Sequence, residues 1–399
     1  PPTPELAAAL PDGSPDLIHR TTAGIAPAYQ SVRKQPAVGP KKPGAGPRIV
    51  WLGGSTLHGG SRDIMRTEET PGRAGALLGV ESLNFAGIGM DTVSIGVILD
   101  DVLSIQPDVL VVYAGHNELG NAVFTGRYGD AETAHFAILR ALLRTSRLFQ
   151  PLEVLLRGQE KLILPSEGNE KQFTVDAGTR SEIHWRYEER LRHIISKATD
   201  QGVPVVVSTL MSNAVAPSMD FSCPEAMDRA GFPPGPPEAI PVDKISPADI
   251  AAAEAISPGC RDIRWLRARQ TGDKAMLDQL RDEDPLPVRG GRPLNEIIRR
   301  VADETDATLI DVDKMAREAG GGLEPTPWFL DPMHLTIEGH DALARMMAQA
   351  IAPLVNKPPP ALPTAPTTER DPAGCAGEGC RDRGEFRPEF DLDFGQFNR

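Results

Sequence analysis

Five apolar runs between Arg48 and Val312 constrain this chain more than any other feature. The clearest is Asp108–Gly115 (DVLVVYAG), which is apolar without alternation. A strand with no polar face has to be covered on both sides, as in a parallel sheet between helix layers. The other runs are Arg48–Gly53 (RIVWLG), Val80–Ala86 (VESLNFA), Val203–Leu210 (VPVVVSTL) and Ala307–Val312 (ATLIDV). Helical periodicity falls between and after them, at about 62–78, 92–105, 180–200, 292–305 and 338–353. Asp91 or Thr92 can cap the second of these helices. Strands alternating with helices close through right-handed crossovers. The pattern predicts an α/β fold with a five-stranded, all-parallel sheet.

Three stretches stand outside this alternation. Residues 213–290 hold a Pro-rich loop (Gly231–Pro241) and short helices from about Pro247 to Asp282, which predicts a helical insertion between the fourth and fifth strands. Residues 1–47 and 357–399 are rich in Pro, Gly and charge and predict extended terminal arms around a domain at 48–356. Such segments bury too little apolar surface to fold alone, and ordering them costs about 1–2 kcal/mol per residue in backbone entropy. The expectation is that they wrap a protein partner or a second copy of the chain, with Phe386, Phe390, Phe394 and Phe397 as anchors. Aromatics make up only 5% of the 399 residues, so the core must be built from Ala, Val, Leu and Ile.

Composition excludes several functions. The formal net charge of −13 is the wrong sign for a nucleic-acid binder or for attraction to an anionic membrane. No apolar run reaches the 18 or so residues of a membrane span. No Gly-x-Gly-x-x-Gly or Walker-type string occurs, and no Cys/His array has zinc-ligand spacing, so no cofactor or metal is expected. The four cysteines leave two pairings open. Cys223 and Cys260 bracket the Pro-rich insertion and can be bridged, and Cys375 and Cys380 can close a small loop in the tail; free thiols are the alternative. The sequence starts at Pro1 without Met, which reads as a processed or truncated chain. An exported bacterial protein is the expectation, with a cytoplasmic location left open.

Chemistry-bearing residues follow the strands. Gly53-Gly54-Ser55-Thr56 follows the first, Asn84-Phe85-Ala86-Gly87 the second, and Gly115-His116-Asn117-Glu118 the third; Asp331-Pro332-Met333-His334 comes after the last. Ligands of open parallel sheets bind at the carboxyl ends of the strands. A Ser there can present its hydroxyl. Its own N–H, the Gly87 N–H and the Asn117 amide are three donors of the kind a tetrahedral oxyanion requires. His334 supplies the base that a serine nucleophile needs near neutral pH. Asp331, three residues earlier, can accept the Nδ1–H and leave Nε2 facing Ser55.

These four blocks, in this order and spacing, resemble the SGNH (GDSL-like) hydrolase superfamily over about 48–210 and 292–353. The resemblance implies a flavodoxin-like three-layer fold with strand order 2-1-3-4-5, and the hydrolysis or transfer of acyl esters. It implies Ser55 as nucleophile, Asp331 and His334 as its partners, and an oxyanion hole from Ser55, Gly87 and Asn117. The family's Asp before the serine is Gly54 here, and Glu118 stands where Asp is commoner. The form Tyr-x-Gly-His-Asn-Glu also resembles bacterial members that carry a tetratricopeptide-like helical insertion, whose end the stretch Asp282–Arg289 resembles. Gly54, His116 and Glu118 are candidates to line the substrate site. His58 and His340 have no partners at metal-ligand spacing and read as surface or helix residues, and His184 and His193, among Arg and Glu, read as the solvated face of a charged helix.

Three functions remain open on sequence. The first is a serine esterase acting on acyl, acetyl-type esters, with a carbohydrate-linked substrate as one option. The second is an O-acyltransferase with the same triad. The third is a structural or assembly subunit on the same scaffold, docking through its arms. The α/β-hydrolase elbow Gly-x-Ser-x-Gly fits poorly, because Leu57 fills its last position.

Overall fold

A computed structural model describes residues 18–27, 37–59, 68–124, 175–217, 223–232, 240–284 and 289–363. In chain order the elements are β1 (Ile18–Thr21), β2 (Gly24–Pro27), β3 (Arg48–Gly53), α1 (Ser55–His58), α2 (Thr70–Leu78), β4 (Glu81–Asn84), α3 (Thr92–Ser104), β5 (Val109–Tyr113), α4 (Asn117–Phe124) and α5 (Ala177–Thr199). There follow β6 (Val205–Ser208), α6 (Pro224–Arg229), α7 (Pro247–Ile256), α8 (Arg261–Thr271), α9 (Lys274–Asp282), α10 (Arg292–Asp303), β7 (Thr308–Ile310), α11 (Val312–Ala319) and α12 (Ile337–Leu354). Of the predicted helix at 62–78, residues 70–78 form α2, and 60–67 lie outside the described residues.

Strands β3 to β7 make one sheet in the order β4-β3-β5-β6-β7, and every pairing is parallel. Counted along the chain, that is 2-1-3-4-5. The unbroken apolar runs are buried throughout in β3, β5 and β6, because helices cover both faces. On one face α3 packs on α5, and α5 on α10; on the other α2 packs on α12, which also meets α11. The three-layer α/β expectation therefore describes the molecule. Register sets the carboxyl edge: Gly53 pairs with Tyr113 so closely that a Cβ on Gly53 would lie 2.2 Å from the Tyr113 carbonyl oxygen. Asp91 caps α3, accepting the Ser94 N–H at 2.9 Å, which selects Asp91 over Thr92 as the cap.

The opposite, amino edge of the sheet is closed by charge. Asp108, just before β5, accepts from Lys41 Nζ at 2.6 Å and from the Arg48 backbone N–H at 2.6 Å. The Arg48 side chain, 6% exposed, bonds Glu81 at 2.6 Å and the Gly39 carbonyl at 2.9 Å. Its head also reaches the Ile105 carbonyl beyond the end of α3.

The predicted N-terminal arm is only partly extended. Strands β1 and β2 pair as an antiparallel hairpin, and Ile18 and Ile25 are buried in the main core. Val38 bridges to Ile25. Two isoleucines at the right register gained enough burial to order a segment whose overall composition argues for none. In the C-terminal arm residues 357–363 carry no regular structure. Cys375, Cys380, Phe386, Phe390, Phe394 and Phe397 lie outside the described residues, and so does most of the Pro-rich loop at 231–241.

The insertion between β6 and β7 contains α6 to α9 and has its own core of Ile250, Ile263, Trp265, Leu266, Leu277 and Leu280. Cys223 and Cys260 are joined by a disulfide within it. Among the described residues, no helix is long and apolar enough to cross a membrane.

Candidate active site

Asp331 and His334 sit on a loop that closes on itself before α12. Phe329 bridges to Leu335, and the Leu330 N–H donates to the His334 carbonyl at 2.8 Å. Inside that ring, Asp331 Oδ1 accepts the backbone N–H groups of Met333 at 2.8 Å and His334 at 2.7 Å. Its Oδ2 lies 2.5 Å from His334 Nδ1. Nδ1 therefore carries the proton, and Nε2 presents its lone pair. That lone pair meets Ser55 Oγ at 2.8 Å across 279 residues of sequence. Ser55 itself is the first residue of α1, directly after the carboxyl end of β3, and is 7% exposed.

Burial disfavours the His334 imidazolium, but the charge and hydrogen bond of Asp331 outweigh it and hold the pKa above the usual histidine value. Burial likewise works against the Asp331 carboxylate, yet His334 and the two loop N–H donors hold its pKa below the usual range. The result is an ionised Asp, a basic imidazole and a hydroxyl in line, which is an arrangement able to generate a serine nucleophile.

The donors around Ser55 come from the loops after β4 and β5. Asn117 Nδ2 donates to the Met90 carbonyl at 2.9 Å. A Cβ on Gly54 would lie 2.5 Å from that same Nδ2, so Gly54 is the contact surface for the Asn117 amide rather than a substrate-lining residue. Gly87 has a different place from the one expected. Its N–H is already spent on the Gly53 carbonyl at 3.0 Å, which ties the two loops together and removes it as an oxyanion donor. Gly89, two residues on, has φ 69°; among the described residues its N–H makes no backbone hydrogen bond. Asn121, one turn along α4 from Asn117, fixes that turn by donating to the Gly89 carbonyl at 2.7 Å and to Asp91 Oδ2 at 2.9 Å. Sequence reasoning missed both Gly89 and Asn121. The only signal was the second glycine of Ala-Gly-Ile-Gly, because a backbone donor leaves no side-chain signature.

Glu118 and His116 also differ from the substrate-lining expectation. Glu118 is 1% exposed and faces α3, accepting the Thr92 N–H at 2.7 Å and the Thr92 hydroxyl at 3.0 Å. Burial, with Asp91 nearby, pushes its pKa up to about 8 against the pull of Thr92 and Arg190. His116 is 5% exposed. Its Nδ1 accepts the Gly290 N–H at 3.0 Å, so the proton is on Nε2, toward Tyr113 Oη at 3.5 Å. Burial, helped by His334, lowers its pKa to about 3, and it stays neutral. His340 is buried in α12, its Nδ1 accepting the Thr70 N–H at 3.2 Å.

No family model matches this sequence, and no curated protein matches it. Solved structures similar to it include an acetyl xylan esterase, at 15% identity and a TM-score of 0.38, over 76% of this chain and 99% of that one. A catalytic mutant of an acetylxylan esterase from Geobacillus stearothermophilus matches at 12% identity and a TM-score of 0.37, over 80% of this chain and 98% of that one. A putative lipolytic protein of the G-D-S-L family from Desulfitobacterium hafniense matches at 9% identity and a TM-score of 0.37, over 76% and 98%. Likeness at these TM-scores carries no weight for the reaction.

Proposed function

We propose that the chain is a serine-dependent acyl-ester hydrolase. The observation that carries the reading is the unbroken line Ser55 Oγ, His334 Nε2, His334 Nδ1, Asp331 Oδ2, with contacts of 2.8 Å and 2.5 Å. The four sequence blocks shared with SGNH hydrolases support it independently.

The chemistry follows from that line. Ser55 Oγ attacks the ester carbonyl carbon while His334 Nε2 takes the hydroxyl proton, so the nucleophile needs no preformed alkoxide. The carbonyl π pair moves onto oxygen. The Ser55 N–H, the second Asn117 amide hydrogen and the Gly89 N–H are the donors for that oxyanion, and such donors are worth about 2.7–4 kcal/mol each. Collapse expels the alcohol, which takes the proton from His334 and leaves an acyl-Ser55 ester. Water then enters, gives a proton to His334 and attacks the acyl carbon. The acid departs as Ser55 recovers its proton. Asp331 stays ionised throughout and holds the tautomer.

The test is turnover of p-nitrophenyl acyl esters of graded chain length, with labelling by an organofluorophosphonate, for the parent and Ser55→Ala. The parent turns over and labels at Ser55, and the variant does neither. A Ser55→Ala protein that labels like the parent would overturn the proposal, and so would a folded parent that neither labels nor turns over any ester.

A further inference from the structure

The Asp331–His334 ring is rigid within itself, but something must fix it relative to Ser55. Among the described residues, its one backbone tie to the loop after β6 is the Pro332 carbonyl, which accepts the Asn213 N–H at 2.9 Å. Asn213 belongs to residues 212–216, where the insertion begins, and later parts of the insertion grip that stretch at several points. Arg289 Nη1 donates to the Asn213 carbonyl at 2.5 Å, and Nη2 to the Ala216 carbonyl at 3.0 Å. Trp265 Nε1, on α8, donates to the Val215 carbonyl at 3.1 Å. Ala214 is buried in the insertion's own core, and Val215 packs against it. Gly290, the next residue, bonds the loop after β5: its N–H donates to His116 Nδ1 at 3.0 Å, next to Asn117.

We propose that Arg289 is a positioning residue: its two-pronged grip on the Asn213 and Ala216 carbonyls makes the helical insertion the buttress that sets His334 against Ser55. The inference rests on the hydrolase reading and deepens it, since it assigns the insertion a part in the same reaction.

Three observations converge on this role. The Arg289 side chain is 3% exposed, so a buried cation is spent on two backbone carbonyls, with Asp284 at 3.9 Å as its ionic partner. Burial lowers its pKa only to about 10, and it remains charged at neutral pH. A planar guanidinium can span two carbonyls in fixed geometry, which an ammonium cannot. The bonded route from fork to triad is also short. Arg289 holds the carbonyl of Asn213, and the N–H of Asn213 holds the carbonyl of Pro332, which lies between Asp331 and His334 in sequence. Because Asp331 and His334 are tied to each other locally, loosening the fork moves the pair as one body. The Ser55–His334 distance then suffers, and the Asp331–His334 contact does not.

The experiment compares the parent with Arg289→Met and Arg289→Lys in full chains, at 25 °C and below each protein's melting temperature. The readouts are kcat, KM, the pH profile of kcat/KM and hydrogen exchange at the Asn213 amide. The titratable groups facing His334 are Asp331 on its own loop, Ser55 on α1 and His116 after β5. The expected result is a fall in kcat of about 10–100-fold in Arg289→Met, the scale of a misplaced catalytic group. KM changes little, the acid limb stays in place, and Asn213 loses protection from exchange. Arg289→Lys recovers only part of kcat, because it restores charge without the fork. Parent-like kcat in a folded Arg289→Met protein overturns the inference. So does an acid limb that rises in the Met variant and returns fully in the Lys variant, because then the charge alone matters. If Arg289→Met does not fold, Trp265→Phe decides: it keeps the ring packed and removes one donor to the same loop. A folded Trp265→Phe protein with parent kcat and parent Asn213 protection counts against the buttress. A parent that neither labels nor turns over sinks the hydrolase reading instead, and Asn213 exchange still reports whether Arg289 holds the loop.

Discussion

Asn117 donates one amide hydrogen to the Met90 carbonyl at 2.9 Å, and that bond decides which end of the amide faces Gly54, the residue before Ser55. The amide nitrogen is pinned against Gly54, so on the hydrolase reading its second hydrogen, rather than the side-chain oxygen, is the donor offered to the ester carbonyl. Replacing Asn117 with Ala removes the donor while leaving the loop ties of Asn121 and Glu118 in place. The expected result is a kcat lowered by about 10²–10³-fold with KM little changed, measured by steady-state kinetics. A change confined to KM would make Asn117 a ground-state contact.

Gly54→Ala tests the same contact from the other side. The added methyl meets Asn117 Nδ2 at 2.5 Å, so the amide must turn or shift. Turnover should fall by a factor approaching that of Asn117→Ala, and the double variant should lose little more than the worse single, because both act through one donor. Additive losses in the double variant would show two separate effects.

The pH dependence has a definite sign. Asp331 favours the His334 imidazolium, and only neutral His334 can take the serine proton. Activity is therefore absent at low pH and appears as pH rises through a value above the ordinary 6.5. Asp331→Asn moves that limb down and lowers kcat by about 10⁴-fold, since the wrong tautomer is then favoured. The stability that His334 gains from the pair runs oppositely: it is full below the ordinary histidine pKa and is lost as pH climbs through the raised folded value. A kcat/KM profile of the two proteins checks the first claim, and denaturation at a series of pH values the second.

Glu118 carries a stability prediction without catalysis. Its folded pKa of about 8 lies above the ordinary 4.5, so the folded chain holds this proton more tightly than the unfolded one. Its contribution to stability is full below about pH 4.5 and is lost as pH rises toward about 8. Glu118→Gln, which cannot ionise, should remove that part of the slope. The difference between parent and variant in urea midpoint, followed from pH 4.5 to 8, isolates it; a constant difference would refute the shift.

The Cys223–Cys260 disulfide closes a separation of 37 residues in sequence. On loop-closure entropy, reduction or paired replacement by Ser should cost roughly 2–4 kcal/mol, read as a lowered denaturation midpoint. Cys260 caps α8, the helix that carries Trp265. Turnover should therefore weaken with the insertion, more than in a surface variant of equal instability.

The sheet was legible because a parallel strand is written in consecutive β-branched residues, and the Asp331–His334 contact because the two residues are three apart. Other features were not. Gly87 and Gly89 both follow β4 in Ala-Gly-Ile-Gly, and which N–H is available depends on a backbone turn and on Asn121, neither of which spacing reveals. Glu118 reads like a site residue because it follows Asn117, yet consecutive helix positions do not share a face, and it turns to Thr92. The hairpin of β1 and β2 was hidden by the prolines around it, since its order comes from where Ile18 and Ile25 dock. Arg289 was visible only as the tail of an insertion.

The charged closure at the amino edge has a consequence for how such a chain can change. Lys41, Arg48 and Asp108 stand at the start of β3 and β5, a full strand length from Ser55. On the hydrolase reading, the same two strands are anchored at one end and reactive at the other. On that reading, substitutions around residues 37–48 are expected to change stability more than turnover, and those near Ser55 and His334 the reverse. Stability and chemistry are in that case assigned to opposite ends of the same sheet.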